Sequence, residues 1–135
     1  MEAKEGVNGW TCLMAAAAYG HLAICRLLLG KGAQGEAKSG GGSTPLHYAA
    51  ISGSVEIVCL LCDRGADVEA YNNDGWRPLH VSALLGRISV VKELIEERNA
   101  EINARDEDGR TALWVARDGN KPNTAAYLVS HGGIE

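Results

Sequence analysis

The stretch Ser43-Thr44-Pro45-Leu46-His47-Tyr48-Ala49-Ala50 returns, altered, as Trp76-Arg77-Pro78-Leu79-His80-Val81-Ser82-Ala83, a shift of 33 residues. Trp10-Thr11-Cys12-Leu13-Met14-Ala15-Ala16-Ala17 precedes it by the same step, and Arg110-Thr111-Ala112-Leu113-Trp114-Val115-Ala116-Arg117 follows after 34. The second halves align as well: Gly20-His21-Leu22-Ala23-Ile24-Cys25 with Gly53-Ser54-Val55-Glu56-Ile57-Val58 and with Gly86-Arg87-Ile88-Ser89-Val90-Val91. A period of this length marks a stack of supersecondary units, none of which buries its apolar side without a neighbour. The chain reads as four copies of one unit.

Each copy opens on a turn pair: Asn8-Gly9, Gly41-Gly42, Asp74-Gly75 and Asp108-Gly109. Such pairs favour two-residue hairpin turns, in which both central residues take positive φ. Thr44 or Arg77 then precedes a proline, the residue suited to the first helical position because its missing N–H has no partner there. A short Ala-rich helix runs to Gly20, Gly53 or Gly86, which read as left-handed helix ends. Val55, Ile57, Val58, Leu60 and Leu61 carry the helical spacing of a second helix. Gly32 and Gly65 close that helix, and an extended arm such as Ala66-Asp67-Val68-Glu69-Ala70 leads to the next turn. The order is turn, helix, turn, helix, arm.

Thr44-Pro45-Leu46-His47 with Ala49-Ala50, and Gly65-Ala66-Asp67-Val68 with Ala70, make the unit resemble the ankyrin repeat over essentially the whole chain. The resemblance implies an all-α repeat solenoid: a stack of helix-turn-helix units with β-hairpin fingers, whose fingers and inner helices line a concave face. We place one domain over 1–135, with repeats at about 6–40, 41–73, 74–107 and 108–135. Three departures stand out. The first arm, Gln34-Gly35-Glu36, runs into Gly40-Gly41-Gly42, so its finger is expected to be the loosest. Arg98 reads as a one-residue insertion, with Asn99 standing where Gly65 stands one repeat earlier. The last second helix, from Pro122, carries Lys121, Asn123 and Thr124 and reads as a polar C-terminal cap.

Composition narrows the function. Residues 1–67 carry 6 acids and 5 bases, and residues 68–135 carry 11 and 8, for a net charge of −4. No basic stripe offers nucleic acid the counterion-releasing surface it needs. Met1-Glu2-Ala3-Lys4-Glu5 lacks a signal peptide's apolar run, and the apolar stretch from Cys12 to Tyr19 is too short to span a bilayer. Cys12, Cys25, Cys59 and Cys62 fall within predicted helices without disulfide-scaffold spacing. A reducing intracellular compartment, cytoplasmic or nuclear, is expected.

Catalytic motifs find no footing. Gly32 followed by Ala37-Lys38-Ser39 is one glycine short of a phosphate-binding loop and lacks its strand and helix. Cys59 and Cys62 have redox or zinc half-site spacing, but Cys59 falls in mid-helix rather than at a helix N-terminus, and core filling explains Cys62. His47 and His80 share one repeat position, which the resemblance assigns to hydrogen bonds with neighbouring backbone. We expect no enzyme activity and no cofactor or metal.

Function is expected where the register varies and side chains face outward. Those positions follow the turn glycine (Trp10, Ser43, Trp76, Arg110), precede the first helix's end (Tyr19, Ile51, Leu84, Leu85) or enter the fingers (Lys38, Tyr71, Arg105). Tyr71, Trp76, Leu84, Leu85 and Ile51 are expected to form one patch, extended by Trp10 and Tyr19, with Arg105 and Arg110 at its edge. Aromatic and arginine side chains dominate binding hot spots, and clustered exposed apolar residues mark interfaces. The alternative is that Leu84 and Leu85 pack on the next finger and Trp76 covers its own hairpin. The acidic run Glu101, Asp106, Glu107, Asp108 is either a steering rim for a basic partner or a solvated edge. Asn103 sits at the arm position that some ankyrin proteins present to asparaginyl hydroxylases. The expected function is a monomeric, non-catalytic adaptor that binds a protein partner through the concave face. A regulatory or substrate-recruiting domain of a larger enzyme or signalling protein is the alternative, and a thiol- or metal-responsive repeat using Cys59 and Cys62 is a third.

Overall fold

The structure, a computed structural model, describes residues 10–135; the turn at Asn8-Gly9 lies outside the described residues. Eight α-helices follow in pairs: α1 (Cys12–Ala18) and α2 (Leu22–Gly30), α3 (Pro45–Ser52) and α4 (Val55–Asp63), α5 (Pro78–Leu85) and α6 (Ile88–Lys92), α7 (Ala112–Asp118) and α8 (Pro122–Ser130). The first helices α1, α3, α5 and α7 stack side by side as one layer, and α2, α4, α6 and α8 form the second.

Local chemistry sets the helix starts. Thr11 and Thr111 accept from the backbone N–H of Met14 (3.1 Å) and Trp114 (3.3 Å), while Pro45 and Pro78 occupy first positions. Each cap satisfies a donor that the helix itself leaves without a partner. The core is a ladder. Leu13, Leu46, Leu79 and Leu113 fill one rung position on the first helices, and Val58, Val91, Leu61, Leu94 and Leu128 face them from the second. Burying one such leucine contributes about 2 kcal/mol.

The extra residue at Arg98 is absorbed within a helix. After Lys92 the backbone widens into a π-helical turn over Glu93–Glu97, and Arg98 N–H donates to Glu93 O five residues back (3.2 Å). A single inserted residue converts one α-turn to a π-turn without disturbing the helix before it. Asn99 then takes the left-handed conformation expected of it, at φ 58°. Asn120 does the same, also at φ 58°, at the end of the first helix in the last repeat. Asparagine is the side chain that best tolerates this region after glycine.

Two local expectations are corrected. The fingers are tight turns, and no strand pairs among the described residues. Asn72 N–H donates to Trp76 O (3.0 Å) and Gly75 N–H to Asn72 O (2.9 Å), with the same pattern at 106–110 and 39–43. Of the described finger residues only Gly42, Gly75 and Gly109 have positive φ; Gly41, Asp74 and Asp108 do not. This is a type I turn followed by a left-handed glycine, the three-residue hairpin loop, rather than a two-residue turn. The closing pair is too short to extend into a ladder. The arms are also not extended throughout: Ala70 N–H donates to Asp67 O (3.2 Å) and Ala104 N–H to Glu101 O (3.3 Å), each making a turn.

Candidate functional site

The first helices and the fingers form one face, held by three repeating struts. The first is histidine. His47 Nδ1 accepts from Thr44 N–H (3.1 Å), and its Nε2 lies 2.7 Å from Trp76 O in the next finger. His80 repeats this with Arg77 N–H (3.1 Å) and Arg110 O (3.1 Å). A carbonyl oxygen only accepts, so Nε2 carries the proton and Nδ1 is the acceptor. Both rings are about 1% exposed, and burial holds their pKa below the ordinary value. Neutral, fully bonded imidazoles of this kind are structural. Thr44 Oγ1 also lies 3.0 Å from His47 Nδ1, within the cap of α3.

The second strut is the residue opening each finger. Asn72 Oδ1 accepts from Asp74 N–H and Trp76 N–H, both at 3.0 Å. Asp106 does more: Oδ1 takes Asp108 N–H (2.9 Å) and Arg110 N–H (2.8 Å), and Oδ2 takes Trp76 Nε1–H (3.0 Å) and Arg110 Nε–H (3.1 Å). Burial works upward on this carboxyl, but the backbone donors, the Arg110 charge and the Trp76 indole together hold its pKa below the usual carboxylate value. The third strut joins the arms. Glu36 Oε2 accepts from Asp67 N–H (2.8 Å), Glu69 Oε2 from Glu101 N–H (2.7 Å) and Asn103 Oδ1 from Ile134 N–H (2.9 Å). Asn103 thus sits in a load path shared with two glutamates, and its amide also donates to Gly132 O (3.2 Å).

These struts sort the residues expected to face outward. Tyr19 (73% exposed), Tyr71 (60%), Ile51 (38%) and Leu85 (37%) do so. Trp76 is half-buried, its indole tied to Asp106 and its ring 5.8 Å from that of His80. Leu84 is half-buried, with its side chain against Gly119 of the last repeat. Trp10 packs on Tyr48 with ring centroids 4.5 Å apart. Arg110 is paired with Asp106 and Asp108 and lies 5.1 Å over the Trp114 ring. Arg105 stays exposed while donating to Gly109 O (2.7 Å). A shallow cleft of about 240 Å³ runs beside Tyr71, lined also by Gly75, Arg77, Arg105, Asp106 and Glu107. Lys38 reaches the Tyr71 ring from the preceding arm, 5.9 Å from its centroid. The acidic run is divided: Asp106 is consumed inside the finger and Asp108 is paired with Arg110, while Glu101 and Glu107 face solvent.

Cys59 and Cys62 are poor thiolates. Burial pushes the Cys59 thiol up, and burial raises Cys62 to about 11. Arg98 lies beside them and bonds Glu93 (3.0 Å) and Asp63 (3.0 Å), so its charge is already matched by carboxylates. Sequence reasoning overlooked Ile24 and Leu27 on α2, which are 46% and 57% exposed. The repeat register gave no such signal: Ile57 and Val90 at the Ile24 position are equally apolar and fully buried.

Two layers of short helices, joined by turns and cross-braced from finger to finger, define a repeat solenoid. A family model described as ankyrin repeats (3 copies) matches residues 1–72 and again 65–135. The chain belongs to the ankyrin-repeat family, whose members are generally protein–protein interaction modules and typically non-catalytic. No curated protein matches the sequence. Among the described residues, no helix is long and apolar enough to cross a membrane.

Proposed function

We propose that this chain is a non-catalytic adaptor that binds a partner protein through the face built by its first helices and fingers, with Tyr71 as the central anchor. The observation that carries this reading is the placement of Tyr19, Ile51, Tyr71 and Leu85. All four keep more than a third of their surface in water, Tyr71 just ahead of a finger and the others at the ends of first helices. A monomeric domain rarely leaves several large apolar side chains exposed on one face without a use for them. Tyrosine suits the role because it offers broad contact area at low entropic cost and a polar tip at the rim. Trp76 and Leu84 support this face from beneath: the indole fixes the third finger against the fourth, and Leu84 fixes the end of α5 against α7. Arg105 borders the cleft beside Tyr71. Trp10, packed on Tyr48, and Arg110, over the Trp114 ring, are the outlying members of the proposed face.

The test is affinity capture with the wild type, a Tyr71→Ala/Leu85→Glu variant and a Lys92→Glu variant on the second layer. The expected result is a protein retained by the wild type and by Lys92→Glu but lost by the double variant. The helical circular-dichroism spectrum and melting of the double variant should match the wild type. Loss only with Lys92→Glu would move the interface to the second layer and overturn the assignment.

A further inference from the structure

Lys38, Tyr71 and Arg105 share one register, each standing directly before the residue that opens a finger: Ser39, Asn72 and Asp106. The fingers are bonded turn to turn, with Asn73 N–H donating to Gly41 O (3.0 Å) and Glu107 N–H to Asp74 O (3.2 Å). The three side chains therefore form a row, one per finger, with an aromatic ring between two cations. All three are exposed. Lys38 Nζ lies 5.9 Å from the centre of the Tyr71 ring, and Tyr71 and Arg105 line the same cleft of about 240 Å³.

Charge in this row is unbalanced, although the chain carries a net charge of −4. Among the described residues, neither Lys38 nor Arg105 pairs with a side-chain carboxylate. Arg105 bonds only backbone oxygens, Gly109 O (2.7 Å) and Glu135 O (3.5 Å). Arg77 also lines the cleft; it is paired with Glu69 (2.9 Å), and its Nε–H is buried without an acceptor among the described residues. Of the two acids lining the cleft, Asp106 is buried and already takes four donors, while Glu107 is exposed.

Cations on either side of a ring suit carboxylates on either side of an apolar residue. Packed helices stand about 9 Å apart, which puts the Lys38 and Arg105 backbones, two repeats apart, about 18 Å from each other. An extended chain covers that distance in about six residues. We infer that the row Lys38, Tyr71, Arg105 receives an extended acidic segment of the partner protein, with a carboxylate at each cation and an apolar side chain on Tyr71. The inference rests on the finger face being the interface and adds the chemistry of what that face binds. Glu107 acts as a selector, repelling a carboxylate that strays toward the turn and so holding the segment on the row. Nucleic acid is a poorer occupant, because its charge recurs at every step and would meet Glu107 and Asp74 as well as the cations.

The test selects binders of the intact chain from a displayed library of random nine-residue peptides, then measures the fluorescein-labelled peptides by anisotropy. The expected sequences carry two acidic residues about six positions apart around an apolar one. Lys38→Gln and Arg105→Gln should each weaken binding about threefold, and together about tenfold, as for exposed ion pairs. Arg105→Lys keeps the charge and should restore most of its share, which separates the charge from the bond to Gly109 O. Glu107→Gln should tighten binding about twofold. Neutral or basic peptides that depend on Tyr71 would leave the finger face as the interface and overturn the acidic assignment. Acidic peptides indifferent to the Lys38→Gln/Arg105→Gln pair would overturn it too, and indifference to Tyr71→Ala as well would remove the finger face with it. A library that yields no binder, or equal binding of a labelled oligothymidylate, would also overturn the inference.

Discussion

The finger at residues 39–43 and the finger at 106–110 share one backbone turn and are held by unlike chemistry. In the first, Ser39 Oγ accepts a single bond from Ser43 N–H (3.2 Å), and the tip is Gly40-Gly41-Gly42. In the last, one carboxylate gathers four donors, one of them from the neighbouring finger. A second difference lies beneath. Arg110 O accepts both Asp106 N–H and His80 Nε2–H, and Trp76 O likewise serves Asn72 and His47. Ser43 O receives Ser39 N–H, but the residue under it is Met14, whose thioether has no proton to donate. Identical folds can therefore differ in rigidity from one finger to the next. Among the described fingers the bracing is strongest at 72–76 and 106–110, beside Tyr71 and its cleft.

The most damaging way to break this contrast is Asp106→Ala. It strands two backbone donors and the Trp76 indole and leaves Arg110 with one carboxylate fewer, and should cost about 3 kcal/mol in urea unfolding. The corresponding Ser39→Ala should cost less than about 1 kcal/mol, because only one neutral bond is lost. Equal losses at the two sites would end the comparison.

Acid should unlock the histidine struts next. Burial keeps His47 and His80 neutral in the folded chain, so below the ordinary histidine pKa of about 6.5 the unfolded chain binds more protons. Stability is then complete above that pH and falls as the pH drops, by up to ~1 kcal/mol per pH unit for each histidine. Unfolding between pH 7 and 5 should show this slope, and His80→Gln should roughly halve it. Asp106 adds its own loss only at lower pH, below the usual carboxylate range.

Met14→His sharpens the comparison from the other side. A histidine there has Thr11 N–H to accept and Ser43 O to receive its proton, by analogy with His47 and His80. It should stabilise the chain by about 1 kcal/mol and slow amide exchange at Ser39 and Gly42. The smallest effect belongs to Gly41→Ala. Gly41 does not have positive φ and its Cβ position is open, so the change should stabilise by about 0.5 kcal/mol through the unfolded chain. Gly42→Ala should destabilise, since φ is +82° and the new Cβ would lie 2.6 Å from Asn73 Oδ1.

Much of this architecture was legible in the residues. The 33-residue spacing, Pro45 and Pro78 at helix starts, and left-handed Asn99 are local features, governed by a few neighbouring dihedrals. The histidine role was legible too, because it recurs at one register. The candidate site was legible only in part. Outward positions were assigned by register, and register cannot tell that Trp76 finds Asp106 thirty residues on or that Leu84 meets Gly119. The turn type was misjudged because Asp74-Gly75 is compatible with two loops, and the Asn72 side chain selects the longer one. The exposed edge at Ile24 needed burial values, since apolar periodicity looks the same whether or not a neighbour covers it.

The sequence by itself determined the repeat, the helix boundaries and the family, because propensity, capping and periodicity act over a few residues. Only the tertiary structure decided which outward positions stay exposed and how the inserted Arg98 is absorbed as a π-turn. Those outcomes depend on contacts between residues about thirty positions apart, where exposure is set by what the neighbouring repeat places opposite each side chain.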